Sequence, residues 1–565
     1  MKIDNFLIKL ILYTFILFSV INSSYAKVLN FNYHANDVSK YFSSIVSFDD
    51  FDYVTTEKYL KSLKNFEEYS ENYSIKLIHS LVNLGKYNKA YKYSLELNRK
   101  NKTNYESQLI LGIQAFKKQN FTKAKFHFDK LKPDGGHSII FQSLKDSLDN
   151  WVKIAQSDKR NLDLKKLSSP ISNFNQIQKA FANCHLENKN VDKSFENLIS
   201  QKDTSFSRYN FFYINNLIAN NNLDKAKNLV SSASYLYPRN LLINQLKKDL
   251  ENKKINKNKF SCKKSSDILA EIFYVISNAL TSTGNYDLSN FYINLAKYLN
   301  PNFPSYNSLL AENYVYIKKY NQAKQMFNKL ILIGSVYEWH AKKQITNILE
   351  EEGNTEEALN FLTKGYKNIN PGIYEIYDFA NFLKNQKKYN QSINLYSEIL
   401  TKINKSHKLY PAVLERRGTA YERIKKWKLA ENDLLMSLKI KKNQPYVMNY
   451  LAYSWVERGE NIDRAISILQ EANNLKRNDG YIIDSLGWAL YKKNNYTEAK
   501  EYLQLAIMLM PRDPVVNDHF GDCLWMNNFK IQARYYWENA LKAESAEDEL
   551  KEKIKNKLLF GLKKT

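Results

Sequence analysis

The fold is decided by residues 486–540, which read LGWALYKKNNYTEAKEYLQLAIMLMPRDPVVNDHFGDCLWMNNFKIQARYYWENA. Within it, the small residues Gly487, Ala499 and Ala506 return at an identical mutual spacing as Gly521, Ala533 and Ala540. Small residues at these places let two short antiparallel helices approach closely, and such a hairpin buries its apolar face by stacking on its neighbours. The spacing predicts an all-α fold, an α-solenoid of stacked helix-turn-helix hairpins.

The small position of the second helix can be followed backwards through the C-terminal half of the chain. Alanine or serine recurs there at nearly even intervals, the widest being that from Ser392 to Ala430. The positions are Ser289, Ala323, Ala358, Ser392, Ala430, Ala465, Ala499 and Ala533. This recurrence predicts an array of eight hairpins over residues 270–547. The charged and apolar residues of 548–565 suit a cap helix that covers the last hairpin.

The N-terminal half carries the same period in a weaker form. Ala90 and Ala124 are one period apart, and Ala226 marks another hairpin. We therefore expect an N-terminal helical region over 27–70 and a degenerate array over 71–240. Residues 241–269 include a lysine-rich run with little apolar content, which predicts a linker between two arrays.

The first residues resemble an export signal. Residues 10–21 are mostly apolar, lysines precede them, and small residues stand at the two positions before the Ala26–Lys27 bond that a signal peptidase reads. We expect residues 1–26 to be a signal peptide cleaved after Ala26, with the mature protein in the periplasm. The alternative is an uncleaved N-terminal membrane anchor. No cysteine lies near the cleavage site, so a lipid anchor is not predicted.

The formal net charge of +25 does not by itself indicate a nucleic-acid partner. The excess is mostly lysine spread along the chain, and there is no arginine-rich stripe. A solvated basic surface is the simpler interpretation, and a peripheral contact with anionic lipid or acidic polymers stays open. We predict no nucleic-acid partner.

Three widely spaced cysteines are few for an exported protein, and they lack paired metal spacing. Cys523 falls where a small core residue is expected in a helix. The sequence alone leaves open whether Cys184 and Cys262 form a bridge.

Catalytic motifs are absent from the sequence. There is no phosphate-binding glycine loop, no H-E-x-x-H and no G-x-S-x-G. Asp518, His519 and Asp522 supply only part of a metal ligand set, and acids near a helix start also favour the helix dipole. We expect no enzyme activity, no cofactor and no metal.

The hairpin pattern resembles the tetratricopeptide repeat (TPR), through Leu486, Gly487, Ala499, Ala506 and Pro511 and their copies in the next hairpin. The segments NYLAYSWVERG (449–459), DGYIIDSLGW (479–488) and NDHFGD (517–522) resemble the C-terminal block of bacterial exported TPR proteins. Some members of that group are adaptors of periplasmic carboxy-terminal processing proteases. The resemblance implies a right-handed superhelix whose first helices line a concave groove.

Two sets of residues follow from this resemblance. The set assigned to repeat packing is Gly418, Ala430, Ala465, Ala472, Leu486, Gly487, Ala499, Ala506, Pro511, Gly521, Ala533 and Ala540. The set assigned to a partner-binding groove is Tyr446, Asn449, Tyr453, Tyr481, Asp484, Trp488, Tyr491, Asp518, Asp522 and Trp525. For each aromatic ring in the second set, core packing and groove contact are equally good interpretations. The acids among them have no evident packing role, so we expect them to face a ligand.

The sequence thus favours a non-enzymatic TPR scaffold or adaptor of the bacterial cell envelope, which binds a protein or peptide in its groove. A periplasmic protease or an envelope-assembly factor is the expected kind of partner. The alternative is an envelope polymer- or lipid-binding module that assists the assembly of peptidoglycan, polysaccharide or the outer membrane. Salt dependence separates the two, because a basic-face interaction weakens steeply with ionic strength.

Overall fold

A computed structural model describes residues 35–63, 71–132, 138–157, 172–201, 204–254 and 259–562. Within these ranges the chain forms 29 α-helices, a short 3-10 helix at Thr204–Arg208 and no strand. The expected signal peptide, residues 1–26, lies outside the described residues. The all-α prediction is confirmed.

The chain divides into two compact units, Met1–Glu338 and Trp339–Thr565. The helices that begin in unit 1 are α1 Ala35–Asp49, α2 Tyr53–Lys61, α3 Glu71–Asn83, α4 Tyr87–Arg99, α5 Tyr105–Lys117, α6 Phe121–Phe128, α7 Ser138–Gln156, α8 Ser172–His185, α9 Val191–Ile199, α10 Tyr209–Ala219, α11 Leu223–Leu236, α12 Leu241–Glu251, α13 Ser265–Ser282, α14 Tyr286–Leu299, α15 Ser305–Tyr316, α16 Tyr320–Ile331 and α17 Ser335–Glu351. The division falls inside α17.

The helices of unit 2 continue the hairpin pattern. They are α18 Thr355–Lys367, α19 Ile373–Asn385, α20 Tyr389–Lys402, α21 Tyr410–Arg423, α22 Trp427–Ile440, α23 Pro445–Arg458, α24 Ile462–Leu475, α25 Gly480–Lys492, α26 Tyr496–Leu509, α27 Pro514–Met526, α28 Lys530–Lys542 and α29 Asp548–Phe560. Helices α13 to α28 correspond to the eight predicted hairpins. Helix α29 follows the last hairpin, as expected of a cap helix.

The small residues of the second helices lie in the core. All eight predicted positions from Ser289 to Ala533 are fully buried, as are Ala90, Ala124 and Ala226 in the N-terminal hairpins. Since a larger side chain there would hold the two helices apart, the period of small residues sets the helix spacing. At Gly487 the constraint is tighter, because a Cβ atom would lie 2.6 Å from Cγ of Leu503 on the facing helix.

A left-handed residue recurs in the turn between the first and second helix of each of these eight hairpins. The residues are Gly284, Lys318, Gly353, Lys387, Lys425, Gly459, Asn494 and Asn528, with φ between 57° and 82°. The left-handed conformation reverses the chain within a few residues. Only three of the eight are glycine, so the sequence gives little sign of this requirement.

The predicted linker over 241–269 lies inside unit 1. Helices α12 and α13 occupy much of it, and Phe260 is buried among Phe181, Phe212 and Phe303. A disulfide also joins Cys262, within this segment, to Cys184 of α8, with Cα atoms 5.9 Å apart. The lysine-rich composition therefore does not mark the division of the chain.

The first hairpins of unit 1 pack against α14, a helix that lies far from them in the sequence. The hydroxyl of Tyr87 donates to the carbonyl oxygen of Asn294 at 2.9 Å, and the imidazole of His79 stacks on Phe291 with ring centres 4.1 Å apart. A buried pair between Arg208 and Glu271, at 2.6 and 2.8 Å, adds another long-range connection. Unit 1 is therefore closed by contacts between its two halves.

None of the helices in the described part of the chain is both long enough and apolar enough to span a bilayer.

Candidate functional site

The candidate site lies on the first helices of the hairpins in unit 2. We call it the first-helix face and define it by residues of α21, α23, α25 and α27, together with the Lys384 side chain of α19. Side chains of successive first helices meet across this face. The ring of His519 on α27 stacks on Trp488 of α25 with centres 4.0 Å apart, and Tyr453 of α23 lies 6.5 Å from the same imidazole.

Asp484 is an internal ion-pair partner. Its carboxylate is only 5% exposed and accepts a hydrogen bond from Nδ1 of His519, which lies 2.9 Å from Oδ2 and 3.1 Å from Oδ1. Burial lowers the pKa of His519, but the charge and hydrogen bond of Asp484, together with the charges of Asp518 and Asp522, outweigh burial and raise it. The imidazolium and the carboxylate thus satisfy each other. The expectation that Asp484 lacks a packing role is wrong.

Asp518 and Asp522 are also satisfied within the chain. Nζ of Lys557, on the cap helix α29, lies 2.7 and 2.8 Å from the two oxygens of Asp518 and 2.8 Å from Oδ2 of Asp522. The indole N–H of Trp537 donates to the other oxygen of Asp522 at 2.9 Å. The two aspartates are only 7% and 5% exposed. The expectation that these acids await an external ligand is therefore corrected, because a lysine of α29 already pairs with both of them.

Burial raises the pKa of Asp522, and the nearby charge of Asp518 raises it further, whereas Lys557 opposes both effects. Burial would lower the pKa of Lys557, but the two carboxylates outweigh it and raise that pKa. A buried carboxylate pair of this kind requires a cation beside it. Lys557 therefore favours the ionised form of Asp522.

The predicted aromatic residues divide into two groups. Trp488 is nearly buried, stacks on Tyr491 at 4.7 Å, and donates from its indole nitrogen to Glu457 at 2.7 Å. Tyr446 and Tyr481 are 46% and 59% exposed and lie at the starts of their helices. Trp488 and Tyr491 fill space between repeats, whereas Tyr446 and Tyr481 are largely exposed to solvent.

Trp525 has a third environment. It is half-buried, lies 5.3 Å from the ring of Trp537, and faces Gly561 at the end of α29. A Cβ atom at Gly561 would overlap the Trp525 ring, so the chain there passes directly against the indole. Trp525 and the Asp518–Asp522 pair are thus covered by the same C-terminal segment.

Unsatisfied polar atoms lie at the other end of the first-helix face. Oδ1 of Asn449, Nε of Arg416 and Oε2 of Glu422 are buried and have no hydrogen-bond partner among the described residues. Nε of Arg416 lies 3.6 Å from Glu415, and Oε2 of Glu422 lies 3.4 Å from Nε of Arg423, but neither contact is a hydrogen bond. Burial raises the pKa of Glu422 and of Glu415. Since a buried polar atom without a hydrogen bond is costly, these atoms mark a place where an external hydrogen-bonding group would be stabilising.

The residues assigned to repeat packing lie in the seams between helices, with one exception. The alanines, Leu486 and the three glycines of that set are buried. Pro511 is exposed in the turn after α26, where it stops the helix instead of filling a seam.

Lys557 and His519 were missed as partners by sequence reasoning. His519 appeared there only as part of an incomplete metal set, and in the described residues no group of three or more His, Cys, Asp or Glu side chains could hold a metal ion. The sequence did contain a signal for the pairing of His519 with Asp484. Asp484 precedes His519 by 35 residues, which is close to one repeat length. No such signal pointed to Lys557.

Comparison with known proteins identifies the repeat. A family model described as tetratricopeptide repeat matches residues 483–513. The TPR repeat-containing protein PA4667 of Pseudomonas aeruginosa is 26% identical over 186 residues, which are 32% of this chain. The match spans about 30% of the length of that relative.

Solved TPR structures resemble parts of the chain. A TPR protein from Parabacteroides merdae covers 45% of this chain at 14% identity, with a TM-score of 0.38 and 97% of its own length matched. A thermophilic TPR protein from Thermus thermophilus covers 34% at 14% identity, with a TM-score of 0.30 and 100% of its own length matched.

Proposed function

We propose that this chain, which is a tetratricopeptide repeat protein, is a non-enzymatic scaffold that binds a protein or peptide partner on the first-helix face of unit 2. TPR proteins generally bind protein or peptide partners, and their repeats generally act as scaffolds without catalysis. The binding segment that we propose is the part of the face upstream of the His519 cluster, on α21 and α23.

One observation carries this proposal: the unsatisfied atoms of Asn449, Arg416 and Glu422. They comprise a donor and two acceptors, which suits the alternating N–H and C=O groups of an extended peptide. Tyr453, beside them, offers an aromatic surface at low entropic cost. The same part of the face carries charges of both signs, positive on Lys384 and Arg423 and negative on Glu415 and Glu422.

We further propose that the protein acts in the bacterial cell envelope after export. The disulfide between Cys184 and Cys262 supports this location, because such bonds persist in oxidising compartments such as the periplasm. The resemblance of the C-terminal block to exported TPR adaptors makes a periplasmic carboxy-terminal processing protease the first partner to test.

The test compares two double variants of the full chain. Asn449→Leu with Arg416→Met removes the open polar atoms, while Asn474→Leu with Lys439→Met makes similar chemical changes at exposed positions of the second helices α24 and α22. We expect binding of the purified protease, measured by surface plasmon resonance, to be lost in the first variant and kept in the second. Circular dichroism checks that both variants keep their helicity.

Equal binding of the protease by both variants would show that the first-helix face is not the binding surface. Binding of anionic vesicles that disappears at high salt, in a chain that binds no protein through this face, would favour the polymer- or lipid-binding alternative instead.

A further inference from the structure

The C-terminal helix α29 is attached to unit 2 along one apolar stripe, in which Leu550 and Leu558 flank Ile554 against the core. Ile554 is its only fully buried residue, while Leu559 and Phe560 are 71% and 73% exposed. The helix packs on α28 in the place where another first helix would begin the next hairpin. Most residues of α29 are nevertheless exposed, and polar contacts add to this apolar stripe in holding the helix in place.

The strongest of these polar contacts lies on the first-helix face. Lys557 is 17% exposed and makes three short hydrogen bonds to the carboxylates of Asp518 and Asp522. The following turn presses Gly561 against Trp525, and the side chain of Arg534 donates to the carbonyl oxygen of Leu558. The last turn of α29 thus covers the carboxylate pair and the adjacent indole.

The start of α29 has the opposite charge and faces a different part of unit 2. Glu547 lies 3.8 Å from Lys387, in the turn of the hairpin α19–α20, and also interacts electrostatically with Arg423. The side chains of Lys387 and Glu547 are 76% and 80% exposed, and pairs of this kind contribute little to stability. The acidic start of α29 is therefore held weakly, and its basic end is held by a buried cation.

We propose that α29 is a releasable occupant of the first-helix face, which a lysine-bearing segment of a partner displaces. This inference rests on the proposed function and names the class of partner. The occupied position specifies the ligand chemistry: an ammonium group for Asp518 and Asp522, next to an apolar group for Trp525. A partner segment that presents both would satisfy the carboxylates as Lys557 does and leave α29 free.

Occupancy of the first-helix face by α29 also explains how Asp518 and Asp522 can be buried on a surface that binds a partner. Two adjacent buried carboxyl groups without a cation would hold a proton between them, at some cost in stability. A lysine supplied by the chain itself keeps the face stable until a partner supplies another. The apparent affinity of that partner is then its intrinsic affinity multiplied by the fraction of molecules in which α29 has left the face.

The test uses the helix itself as the probe. A labelled peptide with the sequence of residues 545–565 is titrated into the full chain, and binding is followed by fluorescence anisotropy. The full chain is used as wild type, as Lys557→Gln, and as Lys555→Gln. Lys555 is a matched control on the same helix, because it is exposed and pairs with the exposed Glu552.

We expect the peptide to bind the Lys557→Gln chain at least about tenfold more tightly than wild type, because weakening the internal helix frees the face. The Lys555→Gln chain should behave as wild type. A peptide that itself carries Lys557→Gln should bind none of the chains. Hydrogen exchange should show that α25 to α28 remain protected in the Lys557→Gln chain, which verifies that it is folded.

Equal peptide affinity for the three chains, absence of binding to all of them, or binding that does not need the peptide's lysine would each overturn the inference. These outcomes can be told apart from a failure of the proposed function. If the Asn449 and Arg416 double variant loses its partner while Lys557→Gln changes nothing, the scaffold function stands and displacement of α29 is wrong.

Discussion

Nδ1 of His519 lies 2.9 Å from Oδ2 of Asp484, and the two residues belong to neighbouring first helices. Replacing Asp484 by Ala removes the hydrogen-bond acceptor of this buried imidazole, which burial then drives towards its neutral form, and we expect the free energy of unfolding to fall by about 1–3 kcal/mol. Asp463→Ala is the control, because Asp463 pairs with Lys493 at 2.7 Å but is 83% exposed. That variant should lose less than about 1 kcal/mol. Urea denaturation of both variants measures the difference.

A second buried histidine makes unit 1 sensitive to alkaline pH. The imidazole nitrogens of His79 lie 3.6 Å from Glu106 and 3.6 Å from Asp287. Burial would lower the pKa of His79, but the two carboxylates outweigh it and raise it from 6.5 to about 9. Because the folded state binds this proton more tightly, the stabilisation is complete below pH 6.5 and is lost as the pH rises through about 9.

The expected loss over this range is roughly 3 kcal/mol, at about 1.4 kcal/mol for each pKa unit. Thermal unfolding at a series of pH values measures it, with His79→Gln as the comparison. The variant should lack this pH dependence. A wild-type protein whose stability stays constant across the range would contradict the assignment of a charged His79.

The disulfide predicts the products of limited proteolysis. Lys253 and Lys254 are exposed, and both lie between Cys184 and Cys262 in the sequence. Cleavage by trypsin after either lysine should therefore give two fragments that migrate together on a non-reducing gel and separate after reduction. Separation without reductant would show that the two cysteines are not joined.

The left-handed turn residues predict a stabilising substitution. Lys318 adopts φ of 57° and is exposed, and a side chain in this conformation costs about 1 kcal/mol. Lys318→Gly removes this cost, and after subtraction of the greater entropy of glycine in the unfolded chain the free energy of unfolding should rise by roughly 0.5 kcal/mol. Lys318→Ala keeps the Cβ atom and should change little. Melting temperatures of the three proteins decide the matter, and a lower value for the glycine variant would refute the prediction.

The period of small residues was enough to predict the hairpins. Ala499 and Ala533 report directly on the distance between two helices that are adjacent in sequence, so a local pattern contains the information. The turn residues were not predictable in the same way. Lys387 and Lys425 adopt a conformation that usually favours glycine, because the geometry of the hairpin imposes it.

The candidate site was only half predictable. Its positions follow from the repeat, but the state of its acids depends on Lys557, which lies 35 and 39 residues after Asp522 and Asp518 and outside the hairpins. The expected boundary at 241–269 does not match the division of the chain either, and the reason is again a set of contacts between residues distant in the sequence. Composition shows that a segment is polar, but it does not show that Cys262 and Glu271 within or beside it bond to residues of the preceding hairpins.

The contact of α3 with α14 changes the order in which unit 1 can fold. Most of the sequence of unit 1 lies between His79 and its stacking partner Phe291. The first hairpins therefore leave the ribosome long before α14, on which they pack, has been synthesised. A linear stack of repeats can grow one hairpin at a time from any starting point. Unit 1 instead contains a loop whose closure carries a large entropic cost, so its completion should be slow and late in folding.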